Sequence, residues 1–415
     1  MNLYKQNDRF QVAELTQKVI CLLLIIVVMV IRKPELLIDP RFFQEEGSIY
    51  FPHAFNHGFV DNLFMQYGGY YALITNLAAS IAAMFPLAVA PLITTYLAFI
   101  GTLVPCATVL FGNIPFLDTV PKKMLMALAI NLFSFGGSWL TTIHTQYYLA
   151  LTTFFILLEN GQHSSTLKKF TYRAVLIFSG LSGVLTCFLV PAFFFKWLRS
   201  RSKEDLVQCS LLSITGLIQI TILLACIINS DSFITSHRMN KPGFELPLSM
   251  ILFQFVYPFL GLAMFKLSGT VQMFVGLIIL LYFTRELCRD MKDPQKLPLI
   301  LSFLFVFILS SLLSVDTVYV PRYAYFPTVV MFLYLLTKSE GDTGKIKKFI
   351  PKLLLITMVM FNSLGYRSQA DNFYSENWPK WRDEIVIWEK DHNYHIRIWP
   401  LHNNVRWEMQ LFDNK

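Results

Sequence analysis

Long apolar stretches recur along the whole chain and are separated by short polar segments. A helix needs about 20 apolar residues to cross a bilayer, and most of these stretches approach or exceed that length. The pattern predicts an all-α polytopic membrane protein in which the apolar stretches are transmembrane helices. The stretches cover residues 19–31, 89–111, 207–228, 274–283, 297–315 and 349–364.

Composition leads to the same class of protein. Of the 415 residues, 54% are hydrophobic and only 15% are charged, whereas soluble globular proteins average about 25% charged residues. The net charge of +8 does not indicate nucleic-acid binding, because excess Lys and Arg in a membrane protein mark cytoplasmic loops. The six cysteines have no C-x-x-C spacing, so they predict neither a disulfide framework nor a metal site.

The first apolar stretch follows Lys5, Arg9 and Lys18, an arrangement that secretory signal peptides also show. No small-x-small cleavage pattern comes after it; Arg32 and Lys33 follow directly instead. We therefore expect an uncleaved first transmembrane helix.

Basic clusters determine the predicted topology, because they are expected on the cytoplasmic side. They occur at residues 122–123, 168–169, 196–203, 285–296 and 338–348. To keep them on one side, residues 70–86 and 248–264 are interpreted as helices at the outer surface, and residues 171–196 as two half-depth helices that meet near Gly180. The result is about eleven crossings, with the N-terminus cytoplasmic and the C-terminus outside.

Two parts of the chain follow from this topology. Residues 1–365 form a transmembrane domain that includes a first outer loop at 35–87, and residues 366–415 form an outer segment. Five of the seven tryptophans lie in the outer segment, among Lys and Arg residues. Trp with flanking cations is typical of a membrane interface, and aromatic rings also stack on sugars. The outer segment is therefore expected either to pack at the membrane interface or to cover a sugar-binding site.

A charged motif follows the first stretch: residues 39–47 read DPRFFQEEG, and residues 67–70 read YGGY. Together they are similar to the D-P-R-F-W-A-E-D/E-G and Y-x-G-Y pattern of bacterial members of the GT-C superfamily of membrane glycosyltransferases. The order of a first span, an acidic outer loop, a surface helix and broken helices resembles the same family over about residues 18–340.

The resemblance implies a GT-C-like fold and transfer of a sugar from a polyprenyl-phosphate or polyprenyl-diphosphate carrier. The acceptor would be a lipid-linked glycan or a cell-envelope polymer at the outer face of a bacterial inner (cytoplasmic) membrane. The implied partners are the lipid-linked donor, the glycan acceptor and membrane lipids, without nucleic acid.

Two alternatives to this function are a transporter or flippase of lipid-linked glycans and an enzyme of the O-antigen ligase or polymerase kind. A transporter pathway should carry many charges within the crossing segments, and here such charges are scarce. Ligases and polymerases place their large outer loop late in the chain, whereas this chain has its main charged loop first.

An inverting transfer needs a carboxylate that accepts the proton of the acceptor, and cations that stabilise the departing phosphate. Glu45 and Glu46 are the candidates for the base, with Arg41 beside them as a substrate contact. A solvated loop carboxylate is the alternative interpretation. Adjacent helical residues point about 100° apart, so we expect only one of the two carboxylates to face the cavity.

Arg322, followed by Tyr323, is the predicted contact of the carrier phosphate, because the planar fork of arginine binds phosphate through two hydrogen bonds. Ordinary lipid headgroups are the alternative partner at this position. His237 and Arg238 form a second basic set in the third outer loop, where a solvated loop is the favoured interpretation.

His144 and Gln146 lie in a short loop between two apolar stretches, close to the predicted cavity mouth. His144 is expected either to bind substrate or to be a hydrogen-bonded structural histidine. Tyr70 of the YGGY motif joins the predicted substrate-binding set. No H-E-x-x-H motif occurs, and no metal site or cofactor is predicted. Single carboxylates from several loops could still gather around a divalent metal ion, so that alternative stays open.

Overall fold

The computed structural model describes residues 2–133, 139–159, 165–229, 245–312, 321–340, 345–367, 380–402 and 405–412. Most of these residues are helical, and within them five segments are long and apolar enough to cross a membrane. The five are Val12–Arg32, Leu87–Phe111, Lys203–Ile228, Glu245–Lys266 and Gly269–Asp290. The protein is therefore a helical multi-pass membrane protein, and the figure of eleven crossings stays a prediction.

In chain order the helices are α1 (Asn2–Arg32), α2 (Glu35–Ile38), α3 (Phe51–His57), α4 (Phe59–Leu63), α5 (Leu73–Ala82), α6 (Ala90–Phe111), α7 (Val120–Leu132), α8 (Thr145–Leu158), α9 (Thr166–Gly180), α10 (Val190–Ser200), α11 (Lys203–Ile228), α12 (Glu245–Phe255), α13 (Tyr257–Leu260), α14 (Gly269–Asp290), α15 (Leu297–Leu312), α16 (Pro321–Glu340), α17 (Lys345–Leu364) and α18 (Trp381–Lys390). Two antiparallel hairpins pair β1 (Gln66–Tyr67) with β2 (Tyr70–Tyr71), and β3 (Ile396–His402) with β4 (Val405–Met409).

Helix α16 runs through the middle of the bundle. Its residues 324–336 are all buried, and it packs against α7, α8, α12, α15 and α17. Large apolar side chains of other helices face outward instead: Leu217 of α11 is 62% exposed and Phe274 of α14 is 66% exposed. Apolar surface on this scale marks contact with lipid, so α11 and α14 present membrane-facing sides.

Helix α9 ends at Gly180, where the sequence predicted a break, and α10 begins only at Val190. A broken helix leaves backbone groups that must be satisfied inside the protein. Gln219 of α11 donates from Nε2 to the carbonyl oxygen of Gly180 at 3.0 Å, and the amide of Leu73 donates to the carbonyl oxygen of Leu181 at 2.9 Å. These contacts stabilise the turn between α9 and α10.

The first loop folds against this turn. Gln219 also accepts from the amide of Tyr71 and donates to its carbonyl oxygen, both at 2.9 Å. Helix α5 has only ten residues, which fits the prediction that residues 70–86 do not cross the membrane. Residues 248–264 are different: Glu245–Lys266 is long and apolar enough to cross, so their placement at the surface stays a prediction.

The C-terminal segment, described over residues 380–402 and 405–412, packs on the first loop. Trp381, Ile385 and Trp388 form the buried face of α18 and share one apolar cluster with Phe42 and Phe51. The backbone of β3 continues the contact, because the amide of Trp399 donates to Phe42 at 2.9 Å and the amide of Gln44 donates to Trp399 at 2.6 Å. The segment therefore holds the backbone just before Glu45.

Glu384 is the centre of the C-terminal segment. It is fully buried and accepts from the amide of Arg397 at 2.9 Å, from the Arg397 guanidinium at 2.6 Å and from the hydroxyl of Tyr394 at 2.9 Å. The two donors of Arg397 join α18 to β3, and Tyr394 joins α18 to the residues just before β3.

We expect Glu384→Ala to loosen the C-terminal segment, because three donors lose one acceptor. The local cost should be about 1–3 kcal/mol. Limited proteolysis of the purified protein would measure it as faster cleavage after residue 380. Glu389→Ala removes an exposed carboxylate from the same helix and is the matched control; equal cleavage of the two variants would contradict the assignment.

Candidate functional site

A cavity of about 140 Å³ lies where the first loop meets the bundle. Its walls come from the first loop, from residues 143–147, from the turn between α9 and α10, from the end of α15 and from the start of α16. Six of the ten residues that the sequence predicted for the site line it together: Glu45, Tyr70, His144, Gln146, Arg322 and Tyr323. The remaining four are Glu46, Arg41, His237 and Arg238.

The two adjacent glutamates have different surroundings. Glu45 is half-buried and lines the cavity. Glu46 is only 2% exposed and starts a π-helical turn, Glu46–Tyr50, that leads into α3. Its Oε1 atom accepts from the amide of Thr142 at 3.0 Å and also from the hydroxyl of Thr142. Glu46 thus ties the first loop to the segment before α8, and Glu45 is left to face the cavity.

Burial raises the pKa of Glu46 from its ordinary 4.5 to about 7, against the hydrogen bonds from Thr142, which favour the charged form. Since the folded pKa is above the unfolded one, this carboxyl contributes stability that is complete below about pH 4.5. That contribution is lost as the pH rises through about 7. The contribution of this group to the stability of the folded protein is therefore greatest when Glu46 is protonated.

Arg322 lies in the first turn of α16 and brings a positive charge to the cavity. Its guanidinium carbon is 5.2 Å from the centroid of the Tyr323 ring, a cation–π contact. The N-terminus of a helix favours anions through its free amides and its dipole. The start of α16 thus combines two features that attract a negative group.

His144 is buried in the cavity wall, where its Nδ1 atom is 2.7 Å from the hydroxyl of Thr141. Burial, with a smaller contribution from the charge of Arg322, lowers the pKa of His144 to about 3. The imidazole is therefore neutral at physiological pH and forms part of the wall. Gln146 lies next to it and donates to the carbonyl oxygen of Ile143 at 3.2 Å.

Aromatic side chains make up much of the remaining wall, and sequence reasoning left most of them out. Tyr50 hydrogen-bonds to Tyr70, and its ring lies edge-on to Tyr67 at 6.1 Å. Tyr147 and Phe188 add further rings. The spacing of Tyr67 and Tyr70 in the YGGY motif was a usable signal, whereas nothing local distinguishes Phe188 from other core phenylalanines.

Gln44 is a further lining residue that the sequence did not single out. Its φ of +46° is in the left-handed region, which residues other than glycine rarely adopt. The pairing of its amide with Trp399 holds it there. Backbone strain of this kind concentrates at functional sites. The left-handed conformation of Gln44 directs the following residue, Glu45, into the cavity.

Arg41 does not line the cavity. It is 4% exposed and lies in the electrostatic field of Glu384 and Asp39, at the side of the C-terminal segment. Burial lowers its pKa to about 10, while Glu384 and Asp39 oppose that shift. His237 and Arg238 lie outside the described residues.

No group of three or more His, Cys, Asp or Glu side chains that could hold a metal ion occurs within the described residues. In the described cavity wall, Glu45 is the carboxylate and His144 the imidazole. A divalent ion at this site would need ligands beyond these two.

Comparison with protein-family models, with curated proteins and with solved structures finds no match for this chain. The resemblance to GT-C enzymes therefore stays an expectation from the motif and the order of elements.

Glu46→Gln should change how stability depends on pH. The amide keeps an oxygen that accepts from Thr142 but carries no ionisable proton, so the fall in stability between about pH 4.5 and 7 should be smaller than in the wild type. Thermal unfolding of detergent-purified protein at several pH values measures this. Asp61→Asn, an exposed position in the same loop, should keep the wild-type profile; an unchanged profile for Glu46→Gln would contradict the assignment.

Proposed function

We propose that this protein is an inverting membrane glycosyltransferase. It moves a sugar from a polyprenyl-(di)phosphate carrier to a lipid-linked glycan or cell-envelope acceptor. The observation that carries the proposal is that Glu45 and Arg322 line one cavity, although they are far apart along the chain. One supplies a base and the other a phosphate contact, which are the two groups the reaction requires.

The reaction assigns each group a step. Glu45 accepts the proton of the acceptor hydroxyl as its oxygen attacks the anomeric carbon of the sugar. The bond between that carbon and the phosphate oxygen breaks, and the electron pair leaves with the carrier phosphate. Arg322 and the N-terminus of α16 stabilise the charge that develops on the phosphate. One glycosidic bond forms with inversion, and the proton ends on Glu45.

The cavity wall suits a sugar bound through its flat faces. Tyr50, Tyr67, Tyr70 and Tyr147 provide rings with hydroxyl groups, and aromatic rings combine a large apolar area with a polar tip. The neutral imidazole of His144 adds a hydrogen-bonding group without a second charge. The wall is built at the end of a bundle of apolar helices, where a lipid-linked substrate reaches it from the membrane.

The proposed location is the outer face of a bacterial cytoplasmic membrane. Lys196, Lys296 and Lys338 lie at the opposite ends of α10, α15 and α16 from the cavity. Because basic residues favour the cytoplasmic side, that end would face the cytoplasm and the cavity would face outward. The N-terminus would then be cytoplasmic and the C-terminal segment periplasmic.

Glu45→Gln should reduce sugar transfer by about 100-fold or more, because general base catalysis contributes roughly that factor. Transfer is measured with purified protein in nanodiscs, from a labelled polyprenyl-phosphate sugar to an envelope glycan acceptor. Binding of a synthetic polyprenyl phosphate should be unchanged. Asp61→Asn is the control for loss of a first-loop carboxylate. Full transfer by Glu45→Gln would contradict the base assignment, and movement of labelled lipid-linked sugar across proteoliposomes without transfer would favour a flippase.

Arg322→Lys should weaken binding of the same polyprenyl phosphate by about tenfold, since a lysine keeps the charge but loses the two-pronged contact. Surface-immobilised nanodiscs containing each variant give the dissociation constant directly. Arg367→Lys changes an exposed arginine that follows α17 and should bind as the wild type does. Equal affinities for the two variants would remove Arg322 from the phosphate site.

A further inference from the structure

A second cavity, of about 280 Å³, lies between the C-terminal end of α10 and the start of α15. Phe195, Lys196 and Arg199 line it on one side, and Leu297 and Pro298 on the other. The first cavity is bordered by Ser310 near the other end of α15. The two cavities are therefore at opposite ends of the bundle, and the second one belongs to the end rich in Lys and Arg.

Most of the described cations at this end are occupied by contacts within the protein. Lys338 is 2.6 Å from Asp290, and Lys296 is 3.2 Å from the same carboxylate. Lys196 donates to the carbonyl oxygens of Leu157 and Glu159 at 2.8 and 3.0 Å. These charges stabilise the fold at this end and leave little capacity for a ligand.

Arg199 differs from them. It is exposed, and it forms no ion pair within the described residues. A cation in the last turn of a helix is favoured by the helix dipole alone, so its position by itself indicates no ligand. The helix dipole does not account for the second observation, which is that Arg199 borders a cavity with an apolar wall.

The surface around Arg199 is aromatic and apolar. Phe194 and Phe195 are 44% and 45% exposed, and Arg201 lies 5.5 Å from the ring of Trp197. Exposed aromatic rings next to cations are typical of the membrane interface. A free phosphate ion would contact only the cation here, whereas a phospholipid would contact the cation with its phosphate and the apolar wall with its glycerol and acyl chains.

We propose that this cavity binds the phosphate of an anionic phospholipid from the adjacent membrane leaflet. Arg199 contacts the phosphate, and Phe195, Leu297 and Pro298 pack against the glycerol and upper acyl chains. Basic pockets between transmembrane helices bind acidic lipid headgroups in this way. The inference does not depend on the proposed enzymatic function, because the site is at the other end of the bundle.

The test measures thermal unfolding of the purified full-length protein in detergent while phosphatidylglycerol, phosphatidylcholine or soluble glycerol phosphate is added. Phosphatidylglycerol should raise the unfolding temperature at lower concentration than the other two. Arg199→Gln should raise the half-saturating concentration of phosphatidylglycerol about fivefold, as expected from the loss of one cation near an anionic headgroup.

Lys292→Gln is the matched control, since Lys292 is an exposed cation at the same end that does not line the cavity. It should respond as the wild type does, and Arg199→Lys should restore most of the response. Equal half-saturation for the Arg199→Gln and Lys292→Gln variants would overturn the proposal. So would equal effects of phosphatidylcholine, which would show that the apolar wall alone binds lipid, or of glycerol phosphate, which would show a soluble-anion site.

Discussion

The architecture depends on satisfying irregular backbone in a protein built for an apolar environment. Gln219 is 1% exposed and hydrogen-bonds both to the carbonyl oxygen that ends α9 and to the backbone of Tyr71. One side chain thereby closes a broken helix and fixes the first loop against it. Because unsatisfied backbone groups cost several kcal/mol in lipid, the break at Gly180 is stable only with such a partner. The cavity lies beside this contact.

The adjacent residues Glu45 and Glu46 have different structural roles. Glu46 accepts two hydrogen bonds from Thr142 and holds the loop to the bundle, and this leaves Glu45 to line the cavity. Gln44 has a left-handed backbone conformation, and a π-helical turn begins directly after Glu45. Both change the direction of the backbone on either side of Glu45. The C-terminal segment contributes through the pairing of Trp399 with Gln44. A distant part of the chain therefore orients the proposed base.

The two ends of the bundle use charge differently. In the described part of the basic end, Lys196, Lys296 and Lys338 are neutralised by carboxylates or backbone oxygens, and this fixes helix ends together. In the described wall of the cavity at the other end, Glu45 and Arg322 are the residues with formal charges.

The sequence by itself determined the class of protein and much of its local structure. Apolar stretches of membrane length predicted α6 and α11, and paired basic flanks around Gly180 predicted a broken helix, because helix length and backbone hydrogen bonding follow from local composition. The acidic motif named Glu45 and Glu46 as candidate bases, and Arg322 was predicted separately as the phosphate contact. Only the tertiary structure decided which glutamate faces the cavity, that Arg41 does not line it, and that Phe188 does. Side-chain direction in a loop depends on pairing with distant segments, here β3 and the residues before α8, and no local periodicity encodes that pairing.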